Sequence, residues 1–310
     1  MKNILLSRDL GKGSIPIAGG KGANLGEVSR AGFPVPEFFV VSADAYGKFL
    51  SGEKGLKIQK LLDSLDVEKT EKLESVSKKI QSLILKGSFP VSLKKDIENA
   101  YKKIGGFVAV RSSATTEDLK SASFAGMQAT FLNVKGADAV VKNVQMCWAS
   151  LFTSRAIYYR VQNNFDHLKA KIAVVVQKMV DSDESGVCFT INPVTKNMNE
   201  IVIEGAFGLG ESVVAGELTP DMFIVQKDSL KILQRNVNVQ EWGYFRDAKK
   251  GKTLKKKIKN GTDQVLSDEQ VIALASVAKK IEAHYGSPQD IEFAFEKGKL
   301  FILQSRPVTT

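Results

Sequence analysis

Three features of the sequence predict an α+β fold with mainly antiparallel strands. Strand-like runs fall in pairs separated by short turns, and amphipathic helices cluster between about residues 56 and 104. The third feature is a closing hairpin whose polar and apolar residues alternate. In that hairpin, Asp290 and Glu292 occupy even positions of the first strand while Ile291, Phe293 and Phe295 are odd. Phe301 and Leu303 are the odd apolar positions of the second strand, and Gln304 and Arg306 are even. Side chains alternate faces along a strand. A loop with an odd number of residues, such as a three-residue glycine-bulge loop, would therefore gather Asp290, Glu292, Gln304 and Arg306 on one face. A two-residue loop would instead scatter them among the phenylalanines. A carboxylate beside an amide suits Mg²⁺, and a neighbouring guanidinium suits phosphate. A solvated amphipathic hairpin with cross-strand ion pairs is the alternative.

The other elements follow in chain order. Gly19, Gly20, Lys21 and Gly22 form a glycine-rich turn before a short helix. Its amides and Lys21 could approach an anion, although Ile15 and Gly22 break a Walker A pattern. Phe38 to Val41 reads as a buried strand. Residues 56–86 carry apolar side chains at helical spacing (Ile58, Leu61, Leu62, Leu65, then Leu73, Val76, Ile80, Leu83), as a pair of surface helices. Ser92 is expected to cap a further helix that turns Leu93, Ile97, Ala100 and Ile104 inward and ends at Gly105. Phe107 to Val110 is a strand that delivers Arg111, Ser112 and Ser113 at its end, a donor set fit for phosphate unless Arg111 pairs with Glu117 or Asp118. Ser123 to Thr130 is a loop of mainly small residues. Asp138 to Tyr159 reads as one long helix.

Ile172 to Val176 is a β-branched central strand, and the connection Gln177 to Val180 could present backbone groups to a base edge. Residues 186–193 and 200–204 are two more antiparallel strands. The glycine turn 205–212 lacks the third glycine and the β-α-β setting of a dinucleotide site. Met222 to Val225 and Leu230 to Leu233 form a hairpin. Ser267 and Gln270 make a capping box that opens a helix to about His284, stopped by Gly286.

Composition bounds the function. The net charge of +10 calls for an anionic partner, and much of it lies in Lys249, Lys250, Lys252, Lys255, Lys256, Lys257 and Lys259. Read along the chain, this tract has no interleaved aromatics, zinc spacing or helix-turn-helix pattern, so nucleic acid is not the expected partner. Cys147 and Cys188 are far apart and in no metal-like spacing, which fits a reducing cytoplasm. The first ten residues have no long apolar core, which predicts no secretory signal. No apolar run approaches bilayer length.

Five motifs occur in order: residues 19–26 (GGKGANLG), 110–114 (VRSSA), 123–127 (SFAGM), 208–211 (GLGE), and 290–293 (DIEF) with 304–307 (QSRP). With them the chain resembles the N-terminal ATP-grasp domain of phosphoenolpyruvate synthase (pyruvate, water dikinase), pyruvate phosphate dikinase and the rifampicin phosphotransferases. The resemblance covers essentially all 310 residues. It implies two α+β lobes clamping ATP, expected here at residues 1–195 (with the helices of about 56–104 inserted) and 196–310. It also implies the site residues. Lys21 and Arg111 would contact phosphates, Glu292 and Gln304 would bind Mg²⁺ with Asp290 beside them, and Arg306 would be the catalytic arginine. Gln177 and Met179 would lie at the adenine, with Glu204, Gly126 and Thr130 as further nucleotide contacts.

The implied activity is Mg²⁺-dependent cleavage of ATP to phosphorylate a histidine on another domain or subunit, ultimately converting pyruvate to phosphoenolpyruvate. Neither His167 nor His284 stands in a carrier motif. The carrier and pyruvate/phosphoenolpyruvate domains are thus expected in trans or lost by truncation. Two alternatives remain: a domain serving an antibiotic phosphotransferase, and a nucleotide-binding module without turnover.

Overall fold

A computed structural model describes residues 2–115, 129–247, 249 and 251–308. The chain divides into two compact units, Met1–Gly26 with Glu37–Met179, and Glu27–Pro36 with Val180–Thr310.

In the first unit, β1 (Ile4–Leu6) is followed by α1 (Ile15–Arg30), whose last four residues belong to the second unit. After β2 (Phe38–Val41) come four helices, α2 (Ala43–Leu50), α3 (Glu53–Asp63), α4 (Thr70–Lys86) and α5 (Val91–Ile104). Then follow β3 (Phe107–Ala114), β4 (Thr130–Lys135), α6 (Ala137–Ser150), α7 (Ser154–Gln162) and β5 (Ile172–Lys178). The strands form an antiparallel sheet in the order β1-β2-β5-β3-β4. Alternation decides its faces. Val108 and Val110 of β3, with Val174 and Val176 of β5, point into the core shared with the helices, which also buries Tyr46, Phe49, Ile80 and Trp148. The odd residues of β3 point to the opposite face.

Two helix expectations are corrected here. The helix expected over 138–159 is broken, because Thr153 caps a new start by accepting from the Ala156 amide. α5 begins one residue ahead of Ser92, with Pro90 in the cap position, so Ser92 is not the cap.

The second unit holds β6 (Glu184–Phe189), β7 (Glu200–Phe207), α8 (Glu211–Val214), β8 (Asp221–Gln226) and β9 (Ile232–Asn236). These are followed by β10 (Trp242–Asp247), β11 (Lys252–Lys257), α9 (Asp268–Tyr285), β12 (Gln289–Glu296) and β13 (Lys299–Pro307). Six strands make an antiparallel sheet in the order β13-β12-β6-β7-β8-β9, and β10 pairs with β11 as a separate ribbon. The apolar face (Cys188, Ile203, Phe223, Ile291, Phe293, Ile302) packs with Val271, Leu274, Ala278 and Ile281 of α9. α9 starts at the expected capping box and stops at Gly286 in the left-handed conformation. Asp221, fully buried, accepts from the amides of Asn238 (2.9 Å) and Val265 (2.8 Å), pinning both ends of the excursion that carries the ribbon. The unit boundary at Met179/Val180 precedes the expected one at 195 because β6 pairs with β7 and β12, which ties residues 180–195 to the second sheet.

Candidate functional site

In the first unit the glycine-rich segment lies inside α1, where the break at Gly19 is the expected turn ahead of a short helical run. Gly19 adopts φ 67° and ψ 173°, kinking the helix so that a fresh helical run starts beside Lys21. A Cβ on Gly19 would stand 2.2 Å from the Ser113 carbonyl oxygen, so glycine is required both for the conformation and for the approach. The Ser113 hydroxyl staples the kink: it donates to the Ala18 carbonyl (2.8 Å) and accepts from the Gly22 amide (3.2 Å). This hydroxyl, read from sequence as part of a phosphate site, is thereby occupied in holding the loop. Lys21 follows the kink at the start of the new helical run, where amides and helix dipole favour an anion.

Arg111 shares the Ser113 face of β3, because residues two apart on a strand point the same way. It lies within the strand, which runs on to Ala114. Its direct cross-strand partner on β4 is Thr130. On β5 its Nη1 donates to Gln177 Oε1 at 3.5 Å. Arg111 is 8 % exposed and Gln177 3 %. The Gln177 Nε2 is buried with no hydrogen-bond partner among the described residues, a donor held ready for an acceptor. The Met179 amide donates to the Phe107 carbonyl (2.9 Å) and that of Lys178 to the Glu37 carbonyl, so neither amide is open to a base edge. Gly126, the loop 123–127, Glu117 and Asp118 lie outside the described residues.

In the second unit the closing hairpin differs instructively from expectation. Glu296 pairs with Lys299, so the loop has two residues, Lys297 (φ 52°) and Gly298 (φ 74°), the positive-φ pair that a type I′ turn requires. Near the turn, Leu300 and Ile302 therefore oppose Phe295 and Phe293 and are the core-facing residues, not Phe301 and Leu303. A bulge between Glu292 and Phe293 then shifts the register by one at Leu303. Beyond it Glu292 faces Gln304 and Asp290 faces Arg306. The bulge supplies the odd residue that the loop lacks, and the four polar residues share one face.

Pairing extends this face across the sheet. Gln304, Glu292, Val187, Glu204 and Met222 are successive direct partners on five strands, so Glu292 and Glu204 point the same way with one valine between. Two residues along each strand, the next rung runs Arg306, Asp290, Phe189, Val202. Arg306 directs Nε (2.9 Å) and Nη2 (2.8 Å) at one oxygen of Asp290, Oδ2. Burial pushes the Asp290 carboxyl above its ordinary range; Arg306 draws it back and Glu292 adds to the rise. Burial raises Glu204 as well. Gln304 is 4 % exposed. The face thus brings carboxylates together next to a buried amide and a half-exposed guanidinium.

A family model described as pyruvate phosphate dikinase, AMP/ATP-binding domain, matches residues 15–310. Over its whole length the chain is 49 % identical to a probable phosphoenolpyruvate synthase of Methanocaldococcus jannaschii, covering 27 % of that protein. It is 43 % identical to a phosphoenolpyruvate synthase of Pyrococcus furiosus, over 97 % of this chain and 43 % of that one. A rifampicin phosphotransferase of Bacillus subtilis is 39 % identical over 100 % of this chain and 36 % of its own length. The chain thus spans from about a quarter to under a half of these relatives. A solved D-alanine–D-alanine ligase from Bacillus anthracis aligns with 98 % of this chain and 59 % of that one at 9 % identity, with a TM-score of 0.36, too low to carry an argument. Among the described residues no helix is long and apolar enough to cross a membrane. With the family model spanning nearly the entire sequence, the chain belongs to the pyruvate phosphate dikinase AMP/ATP-binding domain family.

Proposed function

We propose that the chain is the Mg²⁺-dependent, ATP-cleaving module of a phosphoenolpyruvate synthase-type phosphotransferase, and that it phosphorylates a histidine on a separate domain or subunit. The observation that carries this reading is the polar face of the second sheet, where Glu292 opposes Gln304 and Asp290 opposes Arg306. Among the described residues no three His, Cys, Asp or Glu side chains could together hold a metal. The donor set is one carboxylate and one amide, with Asp290 adjoining, which fits a hard cation that keeps several waters and shares its shell with phosphate. Asp290 is raised chiefly by burial, and the Glu292 charge that adds to the rise is one a divalent cation would offset. When bound, Mg²⁺ would neutralise charge on the phosphate oxygens.

The chain's own residues position and neutralise, which is most of what phosphoryl transfer requires. Glu292 and Gln304 would hold the cation. Arg306 gives up part of its contact with Asp290 to meet the charge that develops on the transferred group. In the first unit, Lys21 at the fresh helix start and Arg111 on β3 bind phosphate oxygens. Thr130, and Gln177 through its unpartnered Nε2, add nucleotide contacts, as do Met179, Glu204 and Gly126 in the same reading. In a phosphoenolpyruvate synthase the phosphohistidine would then serve pyruvate; in a rifampicin phosphotransferase, the antibiotic. The names of the relatives favour the first.

The test is to incubate the protein with ATP and Mg²⁺, with and without a separately produced phosphohistidine-carrier domain from such a synthase. AMP and phosphorylated carrier formed only in the complete mixture would support the proposal. ATP binding without transfer to any carrier would reduce the chain to a nucleotide-binding module.

A further inference from the structure

The lysine tract acquires a meaning across the ribbon that it lacks along the chain. β10 and β11 pair so that Trp242 faces Lys257, Tyr244 faces Lys255 and Arg246 faces Thr253. All six share one face. The opposite face carries Phe245, which lies against Gly208, and Gly243, which lies against the Phe207 carbonyl; that face is therefore applied to the end of β7. On the outer face the Lys255 ammonium stands 3.5 Å from the centre of the Trp242 ring, and the Tyr244 ring meets Trp242 edge-on at 5.3 Å. The aromatics missing from the tract are supplied by the partner strand.

Acids mark the limit of this surface. Tyr244 Oη donates to Glu217 (2.7 Å), and Arg246 pairs with Asp181 (2.8 Å). The Arg246 pair lies toward the loop end of the ribbon, and the Tyr244 contact lies on the Lys255 rung. At its base stand Trp242 and Lys257, with Lys255 two residues along on the same face and Lys256 on the other face. All three lysines are exposed, and none forms an ion pair with a described residue. Lys255 and Lys257 are two residues apart on one face, about 7 Å along an extended strand.

We propose that the outer face of this ribbon binds a single-stranded nucleic acid, with a base stacked on Trp242 and backbone phosphates on Lys255 and Lys257. Stacking platforms flanked by cations are how proteins hold single strands without reading sequence. An acidic protein surface would use the lysines but has no need of the ring. Binding would swing the Lys255 ammonium from the ring to a phosphate, leaving the indole face to the base. Of the three absences that argue against nucleic acid (interleaved aromatics, zinc spacing and a helix-turn-helix pattern), the pairing of β10 with β11 removes the first.

The test is fluorescence anisotropy of a labelled 12-residue oligouridylate with the intact protein, in saturating ATP and Mg²⁺ so that the nucleotide site is filled. Two phosphate contacts predict that log affinity falls with log salt at a slope of about −1.4. Lys255→Glu with Lys257→Glu should weaken binding at least about tenfold. Trp242→Phe should keep binding while removing the quench of tryptophan emission, since Trp148 is fully buried. Three results would each overturn the proposal: no binding at low salt, loss of binding on adding ATP, or equal binding by the charge-reversed variant. Equal competition by inorganic tripolyphosphate would show charge attraction without a base site, and would overturn it too.

Discussion

The two sheets solve one structural problem with opposite chemistry. Each is antiparallel, and each buries one face against helices and leaves the other for polar side chains. In the first unit the polar face carries Arg111, Gln177 and the Ser113 hydroxyl, with the kinked glycine segment stapled to it. In the second it carries Asp290, Glu292, Glu204 and Gln304. The first gathers donors and a cation, suited to anions. The second gathers acceptors, suited to a cation, with Arg306 as its one positive member among these. Alternation made both faces possible. The difference lies in which residues occupy the unburied register, and one bulge in the second unit decides that register.

The comparison can be broken most sharply at Arg306. Arg306→Ala should lower the rate of phosphoryl transfer by about 10²- to 10³-fold while both units stay folded, as expected for a lost charge stabiliser. Wild-type turnover would remove Arg306 from the chemistry. Lys21→Ala should weaken ATP binding or transfer by a smaller factor, and unchanged kinetics would take Lys21 out of the site.

Next in size are two glycines, one in each unit. A Cβ at Gly186 would stand 1.8 Å from the Glu204 carbonyl, and one at Gly19 would meet the Ser113 carbonyl at positive φ. Gly186→Ala should spread β6 from β7 and destabilise the second unit. Gly19→Ala should straighten the kink, costing about 1–3 kcal/mol and displacing Lys21. The two tryptophans report separately, since Trp148 lies in the first unit and Trp242 in the second. Each glycine change should shift mainly the unfolding midpoint seen by its own tryptophan. Equal shifts in both signals would deny that the units are energetically distinct.

The smallest expected effect is a pH contrast. Burial, reinforced by Arg160, pushes His167 down to about 4, and its Nδ1 accepts from Arg160 Nε at 3.0 Å. The folded first unit therefore binds fewer protons than the unfolded chain between about pH 6.5 and 4, and it loses stability as pH falls through that window. Asp290 has the opposite sign. Its folded value lies above the ordinary one, so its contribution is present at low pH and lost as pH rises through the raised value. His167→Gln should flatten the acid loss followed by Trp148, and Asp290→Asn should stabilise the second unit near neutrality. The reverse pattern would contradict both environments.

Much of this was legible in the sequence for a physical reason: strand alternation and helix spacing are local. The strand at Phe38, the capping box at Ser267 and the clustering of Asp290, Glu292, Gln304 and Arg306 on one face all follow from period two or period 3.6. What escaped was non-local or a matter of compensation. The odd residue of the last hairpin sits in a bulge at Leu303 rather than in the loop, and both arrangements give the same parity beyond it. The break at Thr153 was hidden because apolar spacing continues across it. Glu204 joins the rung of Glu292 through Val187, a relation that needs strand order, which no short motif encodes. The aromatic partners of the lysine tract were invisible for the same reason, since pairing places them on another strand.

The central claim is that Glu292 and Gln304, facing each other across β12 and β13, hold the Mg²⁺ that accompanies ATP. The most direct measurement is calorimetric titration of ATP into the wild-type protein and into Glu292→Gln, each with and without Mg²⁺. In the wild type Mg²⁺ should tighten ATP binding by about tenfold or more, roughly 1.4 kcal/mol. In the variant that gain should largely vanish, while metal-free affinity stays the same or improves with the carboxylate gone. An equal Mg²⁺ effect in both proteins would contradict the claim and move the metal elsewhere.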